Sequence, residues 1–158
     1  MVRVNNNIIL LGSDLENTKK KDTGWAAILS SNASPLEKAK VFKIPHHGSS
    51  NADNSEIWQK MVDNQPFAVL TPHQNGSTIL PNNSDIQRIS EKTPNAYITA
   101  RFREKKVKTE HKIDKLMEGC IKNRRFVHND FGYVRLRRDI SSIPSNWKVN
   151  LCGAASKL

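Results

Sequence analysis

The chain has 158 residues, enough for one domain with a core of its own. Hydrophobic residues make up 37% of it and charged residues 25%, and no apolar run approaches the about 20 residues that a membrane span requires, so no membrane association is expected. The 25 basic residues against 15 acidic ones give a net charge of +10, which favours polyanionic partners, nucleic acid first. Cys120 and Cys152 lie far apart and neither belongs to a Cys-x-x-Cys motif. A reduced cytoplasmic setting is expected, and the polar start Met-Val-Arg-Val-Asn-Asn-Asn carries no secretory signal.

In chain order, residues 7–12 read as a buried strand because the run Ile8–Leu11 is continuous rather than alternating. A lysine-rich surface loop follows over 16–23, then one or two helical turns over Gly24–Leu29. Residues 40–45 form the next strand, stopped by Pro45. Asn54 or Ser55 caps a helix whose Ile57, Trp58, Met61 and Val62 share one face. Phe67–Thr71 returns as a strand, a Pro/Asn/Gly loop runs to Asn82, and Ser84 caps a helix bearing Ile86 and Ile89. Ala96–Thr99 is a further strand. This alternation predicts an α/β layer structure, with chemistry at the carboxyl ends of the strands.

The character changes at residue 101. Ile113, Leu116, Met117, Cys120 and Ile121 follow the spacing of an amphipathic helix, with Lys112, Lys115, Lys122, Arg124 and Arg125 on its other faces. Gly132–Arg138 and Trp147–Leu151 alternate with period two around Pro144–Ser145 and predict a hairpin.

Two strand ends carry chemistry. Asp14 follows Gly12-Ser13, and a carboxylate there can bridge two cations about 3.5–4 Å apart. His46-His47 ends the next strand, and neutral imidazole suits zinc. Gly48 leaves room beside them, and Ser49 is placed to contact a phosphate or support a ligand. Taken singly, a strand-terminal Asp is usually a turn residue and a His-His pair is often surface decoration. Both together at successive strand ends are far more specific.

Leu-Leu-Gly-Ser-Asp-Leu-Glu followed by Val-Phe-Lys-Ile-Pro-His-His-Gly-Ser resembles the second half of a metallo-β-lactamase-fold hydrolase. The likeness is to the subgroup that includes the hydrolase domain of the ComEC competence proteins. The later segments Ala68-Val-Leu-Thr71, Leu80-Pro81 and Asp85-Ile-Gln-Arg-Ile89 resemble that subgroup too, so the likeness covers roughly residues 5–100. It implies that Asp14 bridges two divalent metal ions, zinc or manganese. It also implies that His47 is the last metal-ligand histidine and that His46 beside it contacts a phosphate or protonates a leaving group; the reverse assignment of the two histidines stays open. Residues 1–100 would then be the carboxyl half of an αβ/βα sandwich, and residues 101–158 a basic helix-and-hairpin extension packed on it.

Two departures matter. Leu80-Pro81 stands where the subgroup often has His-Pro, with His73 nearby but out of register. The family's main metal motif, His-x-His-x-Asp-His, should precede the aspartate, yet none of the residues before Asp14 is a histidine. Two protein ligands cannot close a dinuclear site. The chain alone is therefore expected to be inactive, with a missing amino-terminal half or a partner chain supplying the other ligands. The whole is expected to be a phosphodiesterase- or nuclease-like hydrolase in which metal-activated water attacks the ester.

The competing expectation is a non-enzymatic basic module binding nucleic acid or a protein. Arg101, Arg103, Lys105, Lys106, Lys108 and the helix lysines would form its phosphate-tracking surface, with Arg135, Arg137 and Arg138 on a strand. The plainer expectation for this region is a solvated helix face and a hairpin packing Val134, Leu136, Trp147 and Val149 on the core.

Overall fold

Val2–Val4 (β1) turns back onto Asn7–Leu11 (β2), pairing antiparallel with Val4 opposite Asn7. In the computed structural model, which describes residues 1–31, 37–100, 111–121, 131–139 and 146–158, β2 opens a run of parallel strands. Gly24–Ser30 (α1) leads to Ala39–Lys43 (β3), and Ser55–Lys60 (α2) leads to Val62–Leu70 (β4). His73–Asn75 (β5) and Thr78–Leu80 (β6) form a small hairpin, then Asn83–Lys92 (α3) leads to Ala96–Ile98 (β7). His111–Cys120 (α4), Gly132–Arg138 (β8), Trp147–Gly153 (β9) and Ser156–Lys157 (β10) complete the chain.

The fold is mixed α/β. Its six-stranded sheet runs β1-β2-β3-β4-β7-β10, with β2, β3, β4 and β7 mutually parallel and the two edge strands antiparallel to their neighbours. One sheet face carries Ile8, Leu10, Phe42, Ile44, Ala68, Leu70, Ala96 and Ile98, which cluster with Trp25 of α1, Ile57 of α2 and Ile89 of α3. Burial of these chains is the main source of stability, about 1.5–3 kcal/mol for each large one. Trp25 is wholly buried and its indole donates to the Ala52 carbonyl at 2.9 Å, so its polar atom is satisfied.

The other face is covered more thinly. β8 and β9 form a separate ribbon that alternates half-buried and exposed residues. Its Trp147 ring lies 6.1 Å from that of Phe67 on β4, and Arg138 donates to the Asn7 side chain on β2. Val134, Leu136, Trp147 and Val149 share its half-buried side, as the period-two pattern predicts.

Local chemistry explains the boundaries. Asn54, not Ser55, caps α2 and accepts from the Glu56 amide at 2.9 Å. α3 begins two residues earlier than a Ser84 cap would allow. Asn82 accepts from the Asp85 amide at 2.9 Å, and Asp85 accepts back from the Asn82 amide at 3.1 Å in a full capping box. Val62 is not on the α2 face: Met61 ends the helix and Val62 opens β4. The expected loop after Thr71 contains the β5–β6 hairpin, turned at Gly76 with φ +58°. α4 forms where the periodicity predicts it, but Leu116 is 71% exposed and Ile113 and Ile121 are also exposed, so its apolar stripe is not a core face among the described residues.

No helix among the described residues is long and apolar enough to cross a membrane. Arg101, Arg103, Lys105, Lys106, Lys108, Lys122, Arg124, Arg125 and the Pro144–Ser145 turn lie outside the described residues.

Candidate functional site

The carboxyl ends of parallel strands β2, β3 and β4 carry Gly12-Ser13-Asp14, Pro45-His46-His47-Gly48 and Thr71-Pro72-His73. Three adjacent parallel strands thus deliver an aspartate, a histidine pair and a further histidine to one rim. The first two loops are laced together: the Gly12 amide donates to the Lys43 carbonyl at 2.9 Å and the His46 amide to the Ser13 carbonyl at 2.8 Å. That closeness requires glycine at 12, since a Cβ there would sit 2.7 Å from both the Lys43 carbonyl oxygen and the Pro45 nitrogen.

Backbone strain gathers at the same place. Ser13, His46 and His47 are non-glycine residues with φ of +48°, +40° and +55°. Each such residue costs on the order of 1–3 kcal/mol and persists only where its surroundings impose it. Here the restraint is visible: Arg88 of α3 donates to the Gly48 carbonyl at 2.7 Å, while Asp85 at 2.8 Å and Asp53 at 3.1 Å hold the guanidinium.

His47 is oriented through its inner nitrogen. Nδ1 lies 2.8 Å from the Thr71 carbonyl oxygen, which can only accept, so Nδ1 carries a proton and the lone pair of the neutral ring falls on Nε2. A ligating imidazole is typically fixed in this way. His73 stacks on the His47 ring, centroids 4.8 Å apart and planes 23° from parallel. His46, its ring centroid 6.3 Å from that of His47, has Nδ1 close to the Glu16 carboxylate without hydrogen-bond geometry.

Lys43 completes the rim. Its ammonium donates to the Thr71 hydroxyl and to the Ile44 carbonyl, both at 3.4 Å. Burial strips water from this half-buried ammonium and pushes its pKa below the ordinary 10.5, while the Asp14 carboxylate pulls the other way.

Asp14, His46 and His47 therefore share one rim, with Asp14 exposed and both histidines half-buried. Ser49 sits elsewhere: its amide donates to the His46 carbonyl at 3.0 Å, and it lines a small cavity beneath the turn with Asp53, Trp58 and Arg88. Glu16, Lys43 and Thr71 stand in the motifs that carry the resemblance, but nothing in the sequence signals a role for them at the rim. Glu16 stands two residues after Asp14, but its partner His46 comes from the next strand. His73 looked out of register in sequence, and its position at the start of β5 folds it back over His47. Among the described residues, no three His, Cys, Asp or Glu side chains gather closely enough to hold a metal ion.

No protein-family model matches the chain, and no curated protein or solved structure matches it either.

Proposed function

We propose that the chain is part of a metal-dependent hydrolase of the metallo-β-lactamase type, acting on phosphodiesters, in which Asp14 and His47 hold part of a two-metal centre. The observation that carries this reading is the His47 ring, fixed at Nδ1 by the Thr71 carbonyl with Nε2 kept for a ligand, on the same rim as Asp14. The sheet supports it as well. Among the described residues, α1, α2 and α3 all pack on the same sheet face, a pattern expected of one half of an αβ/βα sandwich whose other face meets a second sheet.

The donor set fits one wall of such a centre and does not close it, since one carboxylate and one imidazole fall short of the three or four donors each ion needs. On this reading the remaining ligands would come from a His-x-His-x-Asp-His segment, the main metal motif of the family that the sequence resembles. What two zinc or manganese ions supply in such a site is activation of water and neutralisation of charge on the phosphoryl oxygens. This chain's own share is distinct. His46, with Glu16 beside its Nδ1, would give a proton to a leaving group, and Lys43 would add a positive charge near Asp14.

Zinc titrated into the full chain tests the metal assignment. The His47 and Asp14 resonances should move first in NMR spectra, and His47→Ala and Asp14→Ala should each weaken binding by about tenfold or more. Zinc affinity unchanged in both variants would sink the assignment. With the other half supplied, hydrolysis of bis(p-nitrophenyl) phosphate should fall about 100-fold or more in His46→Ala.

A further inference from the structure

We infer that the outer face of the β8–β9 ribbon is a docking surface for single-stranded nucleic acid. Phe131, Tyr133, Arg135 and Arg137 fall on alternate positions and are all exposed, Phe131 by 77% and Tyr133 by 50%. Across the ribbon, Asn150 pairs with Arg135 and Lys148 with Arg137, and both are exposed. The face thus holds two aromatic rings, three cations and an amide. Neither strand contains an acidic residue; Asp130 and Asp139 flank β8.

Folding alone does not account for this face. Arg137 and Lys148 stand directly opposite each other, and like charges so placed destabilise an antiparallel pair. Leaving a phenylalanine three-quarters exposed beside them forgoes burial as well. Both features suit a polyanion that offers flat rings. Phosphates offset the paired cations, and bases stack on exposed aromatic rings and on guanidinium planes. The side chains are laid out for this: the Arg135 guanidinium lies 5.3 Å from the Tyr133 ring centre and donates to its hydroxyl at 3.4 Å. Arg137 donates to the Asn150 side chain at 3.4 Å. Residues on one face of a strand repeat every about 7 Å, so the face is a short, open track.

The aromatic pair favours a single strand over a duplex, because bases in a duplex are stacked on each other and unavailable to Phe131 and Tyr133. An acidic protein would meet the charge but would leave the rings without a role. This surface is independent of the metal assignment, since none of its residues belongs to the rim.

Fluorescence anisotropy with the full chain tests it, using labelled oligothymidylate, oligouridylate and a duplex of equal length at several salt concentrations. Both single strands should bind more tightly than the duplex, and the ratio between them reports whether DNA or RNA is preferred. Tyr133→Ala, which leaves the charge unchanged, should weaken single-strand binding about tenfold. The triple variant Arg135→Gln/Arg137→Gln/Lys148→Gln should lower the slope of log affinity against log salt by about 2. The control Lys19→Gln/Lys20→Gln/Lys21→Gln, which removes equal charge from an exposed loop, should leave that slope nearly intact. A preference for the duplex would overturn the inference. So would a control as damaging as the ribbon variant, or a Tyr133→Ala chain that binds like the parent.

Discussion

The imidazoles of His47 and His73 lie face to face, 4.8 Å between ring centroids, although one lies in the turn after β3 and the other begins β5. His47 thus has two restraints, the Thr71 carbonyl at Nδ1 and an aromatic ring over its plane. The stack requires flatness and not titration, so His73→Phe should preserve it and His73→Ala should remove it. The His47 ring-proton resonances report this directly: they should shift downfield in His73→Ala and stay near their parent position in His73→Phe. Because His73 is exposed, the stability change in either variant should remain within about 0.5 kcal/mol. A His47 resonance that ignores the loss of His73 would show that the stack does not form in solution.

Lys43 makes the rim sensitive to alkaline pH. Its folded pKa lies below the unfolded value near 10.5 because burial disfavours the ammonium. Between the two values the unfolded chain holds a proton that the folded chain has released, so stability rises with pH through that window. Below it the desolvation cost stands in full. Lys43→Met should therefore stabilise the protein at neutral pH, and the gain should shrink as pH approaches 10.5. Asp14 opposes the shift, so Asp14→Asn should lower the Lys43 midpoint further in a carbon-detected titration of the side chain. An unchanged midpoint would mean that the two charges do not interact.

Much of the rim was legible in sequence because its signals are local. An apolar run ending in Gly12 or Pro45 marks a strand end, and such ends in a parallel sheet converge. What escaped depended on neighbours in space. Val62 fits the helical spacing from Trp58, yet Met61 leaves the helix and Val62 pairs with Ala39 of β3. Asn82 and Ser84 are equally good caps by type, and only the reciprocal bond from Asp85 decides between them. β10 is two polar residues, visible as a strand only because β7 offers an open edge. The stripe on α4 shows the converse: periodicity gave the helix but not what its apolar face meets.

Gly12 is a steric requirement and not a conformational one, since its φ is not in the left-handed region. Gly12→Ala would drive a methyl group into the Lys43 and Pro45 backbone and separate β2 from β3 at the rim. A loss of about 3 kcal/mol is expected in urea unfolding. Gly76→Ala is the matched control. Nothing lies within 4 Å of a Cβ there, but φ is +58°, so its cost should be about 1 kcal/mol. Equal losses at the two positions would contradict the close approach of β2 and β3.

Arg88 ties the capping box of α3 to the strained histidine turn, so its loss should be felt at both. Its guanidinium bonds Asp85, 2% exposed, as well as Asp53 and the Gly48 carbonyl. Asp53 keeps the Trp58 indole at 2.9 Å and Lys92 at 3.4 Å, whereas the Asp85 Oδ1 and the Gly48 carbonyl lose a donor. A buried carboxylate without its cation is costly, so Arg88→Met should destabilise the protein by about 3 kcal/mol. Asp85→Asn alone removes the charge while keeping an acceptor for the Asn82 amide. The double variant should therefore cost clearly less than the sum of the single ones, which a double-mutant cycle reads directly. In Arg88→Met the amide resonances of His47, Gly48 and Ser49 should also move, because the restraint on the Gly48 carbonyl is gone. Additive costs together with undisturbed turn amides would show that the helix and the histidine turn are held independently, and that the positive φ values at His46 and His47 have another cause.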